Sequence, residues 1–147
     1  MTLDQLYEIA AARGIEIDDV PMRELRAVSF PQGWIAIDRR KFSSDTDYKC
    51  ALAHEIGHCE TSSFYRDGAN THDRDLYERH ADRYAAELLL PLSDILRAMH
   101  GGMLLPSILA QMHDVTLEFA NMVLELYEKE ICTAARIWIA AKNRRVI

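Results

Sequence analysis

The run His54-Glu55-Ile56-Gly57-His58 constrains this chain more than any other feature. On a helix, residues four apart share one face, so both imidazoles point the same way. There they stand about as far apart as two ligands of one divalent metal need to be. Glu55, one position on from the first, is placed to reach a metal-bound water rather than the metal. A catalytic site of this kind needs three protein ligands and one open position, so the third ligand must come from elsewhere in the chain.

The surroundings put the pentapeptide on a helix running from about Asp45 to Glu60. Ser44 reads as its N-cap, and Asp45 and Asp47 suit the positive end of the helix dipole. Ala51, Leu52 and Ile56 supply apolar contacts along it. In that setting the run is the H-E-x-x-H arrangement of zinc peptidases, which names a metal, a base and a reaction class together.

A chain of 147 residues, 49% of them hydrophobic, can bury a core without disulfide or metal staples. The net charge of −6 argues against a nucleic-acid binder that works by neutralising phosphates. Lys142, Arg144 and Arg145 make a short basic C-terminus that reads as a solvated tail. Three cysteines, Cys50, Cys59 and Cys132, are an odd number without framework spacing, which fits a reducing compartment. Cys59 is turned by about 100° from His58 and reads as a small buried side chain outside any metal site. The start Met1-Thr2-Leu3-Asp4 reads as a capped helix rather than a signal peptide. Leu88-Leu89-Leu90 is cut short by Pro91, far from membrane-spanning length. The expectation is a soluble cytoplasmic protein.

Thr2 caps a first helix that ends near Gly14, and a second short helix is expected around Met22 to Leu25. Val28-Ser29-Phe30 and Trp34 to Asp38 then read as two strands joined by a tight turn at Pro31-Gln32-Gly33. After the motif helix comes a polar connection, Thr61 to Asp73, containing Asp67-Gly68. A long amphipathic helix carries Leu76, Tyr77, Ala81, Tyr84, Ala85, Leu88 and Leu89 and stops at Pro91. Leu92 to His100 forms a further helix, closed by Gly101-Gly102. Pro106 opens the next, and Thr116 caps a longer one running through Tyr127. The pair around His113-Asp114-Val115 is helix-turn-helix-like, but its second helix lacks a basic run and reads as a packing unit.

Glu78 lies twenty positions after His58, with Asp82 one turn further on the same face. This resembles the gluzincin pattern, in which a Glu on a second helix completes the metal site and a following acidic residue orients the first histidine. The run from Tyr77 to Pro91 resembles the second signature of the ImmA/IrrE metallopeptidase family, of the form E-x-x-A-[ND]-x-[FWY]-A-x-x-L-L-x-P. Glu78, Ala81, Asp82, Tyr84, Ala85, Leu88, Leu89 and Pro91 match it position for position. The resemblance is close from about Phe30 to Pro91 and looser at the terminal helices. His80 stands where many members have a second Glu. It points to another face from Glu78, which is the preferred third ligand.

That resemblance implies an α+β fold: a mostly helical, zincin-like core over residues 1–100 with a small sheet, and a helical extension over 101–147 packed on the same core. It implies a zinc endopeptidase with His54, His58 and Glu78 as ligands, Glu55 as base and Asp82 behind His54. Manganese or iron also suit such donors. His72 or Tyr77 are candidates to support an oxyanion. The implied partner is one protein substrate, a DNA-binding transcriptional repressor, with no membrane and no direct nucleic-acid contact. The competing expectation is a non-catalytic antirepressor or toxin partner that holds a structural metal. Trp34 to Asp38 is a candidate edge strand for an extended substrate, or else an ordinary core strand.

Overall fold

The computed structural model describes residues 1–64 and 70–144. In chain order these form α1 (Leu3–Ala12), β1 (Glu16–Asp19), β2 (Ala27–Phe30), β3 (Trp34–Ile37), a 3-10 turn (Arg39–Lys41), α2 (Asp45–Thr61), α3 (Thr71–Leu89), α4 (Leu92–His100), α5 (Pro106–His113), α6 (Leu117–Leu126) and α7 (Glu128–Arg144). The architecture is α+β and mostly helical, with one small sheet.

Local chemistry sets most of these boundaries. Thr2 and Gln5 form a reciprocal capping box at α1. The Ser44 hydroxyl accepts from the Asp47 N–H at 3.0 Å and starts α2. Asn70 does the same for α3 through the Asp73 N–H, and Thr116 for α6 through the Phe119 N–H. Pro91 cannot continue α3, which ends at Leu89.

The sheet order is β1-β3-β2, so β3 is the central strand, parallel to β1 and antiparallel to β2. Ile35 and Ile37 are accordingly fully buried. Gly33, at φ 78°, donates to the Phe30 carbonyl and closes the β2–β3 turn where a side chain would be strained. Across the sheet lies α2, which packs on α1, β2, β3 and α3. Leu52, Ala53, Ile56, Gly57 and His58 are all buried, so the motif helix runs through the middle of the molecule and lacks a polar stripe. One buried cluster extends from Leu6 on α1 to Tyr127 after α6. Each fully buried Leu or Ile in it contributes roughly 1.5–3 kcal/mol.

One expectation is overturned. Met22 to Leu25 is not helical: the Asp38 carboxylate accepts from the Met22 N–H at 2.9 Å, and Lys41 Nζ donates to the Arg23 and Leu25 carbonyls at 3.0 Å each. Main-chain groups that a helix would need are bonded to other elements. Glu16–Asp19 is a further strand, outside the two expected from the sequence. α6 closes with Tyr127 as its C-cap, and a further helix, α7, follows at once. Trp34–Ile37, open between an edge and a core strand, has a neighbour on both sides and is the core strand, with β1 and β2 at the edges. Asp67-Gly68 and Arg145 lie outside the described residues.

The α5–α6 turn is docked onto the motif helix. Asp114, at φ 51°, binds the buried Lys49 Nζ at 2.6 Å and the Thr46 hydroxyl at 2.8 Å. No described helix is long and apolar enough to cross a membrane.

Candidate metal centre

The α2–α3 seam is unusually close at one point, and that point is inside the motif. A Cβ at Gly57 would stand 2.5 Å from the Ala81 carbonyl oxygen and 2.9 Å from its Cα. Only glycine at 57, facing the small Ala81, lets the two helices approach this closely. The approach brings Glu78 and Asp82, flanking Ala81 on α3, up to the histidines of α2.

Both imidazoles are held by their Nδ1 atoms. His54 Nδ1–H donates to Asp82 Oδ1 at 2.9 Å, and His58 Nδ1–H donates to the Ser63 carbonyl at 2.7 Å. The Nε2 atoms then face each other at 3.0 Å. Glu78 closes the third side, Oε2 at 3.1 Å from His54 Nε2 and Oε1 at 3.6 Å from His58 Nε2. Among the described residues this is the one set of His, Cys, Asp or Glu whose donor atoms converge, all within 4.8 Å.

The donor set fits a cation. With each Nδ1 carrying the hydrogen, each neutral ring offers a lone pair at Nε2, and Glu78 adds a carboxylate. Such groups facing each other without a positive charge would repel. Metal-free, the centre relieves this with a proton on His54. Burial opposes that charge, but Asp82 and then Glu78 outweigh it and the ring is pushed up to about 10. Glu78 is in turn held below the ordinary carboxylate range, by His54 first and against its burial. A divalent ion would take the place of that proton. Two imidazoles and one carboxylate are the donors of catalytic zinc sites with an open fourth position.

Glu55 is half-buried and borders the same cleft as His54, His58 and Glu78. That cleft, about 580 Å³, is also walled by Leu25, Phe64 and the whole of β2. The other sequence candidates lie apart. His80 is exposed and borders a different cleft with Arg83 and residues of α6 and α7. His72 is exposed beside a second cleft that Glu78 also borders, and Tyr77 is half-buried. Cys59 is half-buried rather than buried, and burial, then Glu55 and Glu60, push its thiol up to about 11, so it stays protonated.

Two features escaped the sequence. Gly57 could have been noticed as a helix-interior glycine, which calls for a packing reason. The Ser63 carbonyl could not, because a main-chain acceptor carries no residue signature.

The family described as Peptidase M78, IrrE N-terminal-like domain, matches residues 15–125. The chain belongs to this family. M78 membership points to a zinc metallopeptidase-type domain, the chemistry to which the donor set is suited. The match takes in β1 to β3 and α2 to α5 whole, along with nearly all of α6, and leaves out α1 and α7. No curated protein and no solved structure matches the chain.

Proposed function

We propose that this M78 protein is a zinc-dependent endopeptidase that hydrolyses a peptide bond in one specific protein. The observation that carries the reading is the convergence of His54 Nε2, His58 Nε2 and the Glu78 carboxylate beside Glu55 in one open cleft. Zinc held there would supply a Lewis acid that lowers the pKa of water toward roughly 7 and polarises a carbonyl. Glu55 acts as general base: it takes the proton of the attacking water and delivers it to the leaving amine, which departs neutral. Asp82 fixes the tautomer of His54 and the Ser63 carbonyl that of His58, so both rings keep Nε2 turned inward.

The substrate lies along β2. The Asp38 N–H bonds the Arg26 carbonyl at 2.8 Å, which makes that pair and every second pair toward the turn hydrogen-bonded. Ala27 and Ser29 therefore aim their N–H and C=O groups away from β3, along the cleft. An extended peptide adding there as a further strand would run past the metal centre. By likeness to the ImmA/IrrE pattern, the protein attacked is a DNA-binding transcriptional repressor.

Expression of the wild type and of Glu55→Gln, with labelling of new N-termini in the cell, tests this. Glu55→Gln is expected to bind one zinc and to produce none of the wild type's new N-termini, and those should fall within a DNA-binding protein. Equal cleavage by both proteins would refute Glu55 as the base.

A further inference from the structure

The two histidines are held by different means. His54 leans on a carboxylate, Asp82, from another helix. His58 leans on the main-chain carbonyl of Ser63, five residues along its own chain, which must therefore be held at one orientation by something else. The turn after α2 does this. Ser62 takes the left-handed conformation (φ 53°, ψ 36°) and turns the chain back, and both its N–H and that of Ser63 reach the His58 carbonyl.

Two hydroxyls lock the turn, and proton counting fixes their direction. The Gly57 carbonyl can only accept, so the single Thr61 hydroxyl hydrogen goes to it at 2.7 Å. The Ser63 hydroxyl must then donate to Thr61 Oγ1, at 2.5 Å. Ser63 is 1% exposed, so its own hydroxyl is closed to water, while Thr61 stands at the exposed end of the helix. The relay runs Ser63 to Thr61 to Gly57, ending on the glycine that seats α2 against α3.

We propose that Thr61 and Ser63 are positioning residues for the metal centre: their hydroxyl relay aims the Ser63 carbonyl at His58 Nδ1, and zinc affinity depends on it. This rests on His58 being a ligand. A helix-ending turn alone would need only the main-chain bonds to His58. The buried second hydroxyl on top of Thr61 is what that simpler role leaves without a purpose. If the carbonyl drifts, His58 loses the acceptor that keeps its hydrogen on Nδ1, and Nε2 no longer presents a lone pair at a fixed angle.

The test is zinc affinity by chelator competition, with the visible spectrum of the cobalt-substituted protein and melting in a metal chelator alongside. Thr61→Val keeps the shape and the main-chain cap; Ser63→Ala is the second variant, and Thr61→Ser restores the hydroxyl. Expected is zinc binding about 10–100-fold weaker in Thr61→Val and Ser63→Ala, with an altered cobalt spectrum. Thr61→Ser should bind like the wild type, and chelator-stripped melting should change little in any of them. Unchanged affinity and spectrum in both hydroxyl-removing variants overturns the relay, whatever happens to melting. Equal weakening in Thr61→Ser also overturns it. If His58→Ala itself binds zinc like the wild type, the ligand assignment falls, and the relay with it.

Discussion

The α2–α3 seam and the terminal helix α7 are both long helical stretches, and they differ in what they bury. At the seam, Gly57 meets Ala81 backbone to backbone, and Ile56, His58, Ala85 and Ala86 are buried around it. Along the 17 residues of α7 no residue is buried, and Ile137 and Ile139 are 66% and 53% exposed. The family match covers the first region whole and stops before the second. The candidate metal ligands sit beside the one seam position, Gly57, where an added side chain would meet backbone. A helix resting on the surface by part of one face has no such constraint.

The largest effect separating the two regions should come from Gly57→Ala. In a free helix this change would stabilise by up to about 1 kcal/mol. Here the new methyl meets the Ala81 backbone, and overpacking of this kind costs about 1–3 kcal/mol. Chemical denaturation should show a net loss, with zinc affinity falling as α3 is pushed away. A variant as stable as the wild type would mean that the seam is looser than it stands here.

The second effect is on pH. The folded pKa of His54, near 10, lies above its ordinary value, so its contribution to the metal-free fold is complete below about 6.5 and is lost as pH rises through 10. Zinc must displace that proton, so affinity should climb by about tenfold per pH unit between 7 and 10. Calorimetry in buffers of different ionisation enthalpy would count the proton released. Affinity independent of pH across that range would show that His54 is unprotonated before the metal arrives.

The smallest effect belongs to α7. Ile137→Asp should change stability by no more than about 0.5 kcal/mol and leave zinc binding untouched. A loss comparable to that of Gly57→Ala would erase the contrast.

The legible parts of the sequence were those where a side chain acts locally or repeats at a helical period. Ser44, Thr2 and Thr116 announced helix starts by capping chemistry, and Pro91 a stop. Glu78 was singled out by its resemblance to the gluzincin and ImmA/IrrE signatures, with Asp82 on the same face of α3. What stayed hidden depends on partners distant in sequence. Residues 22–25 have a helical composition, but Asp38 and Lys41 capture their main-chain groups. Glu16–Asp19 becomes a strand because β3 offers a free side, since its own composition is acidic. Whether β3 was an edge or a core strand stayed open because strand order is settled by packing rather than by the strand's own sequence.

Under the proposed function, three side chains on two helices hold one catalytic metal. Metal content of purified protein by mass spectrometry tests it most directly, comparing the wild type with Glu78→Ala and His80→Ala. One zinc per chain in the wild type and in His80→Ala, with loss in Glu78→Ala, is the predicted result. Zinc retained in Glu78→Ala and lost in His80→Ala would contradict it.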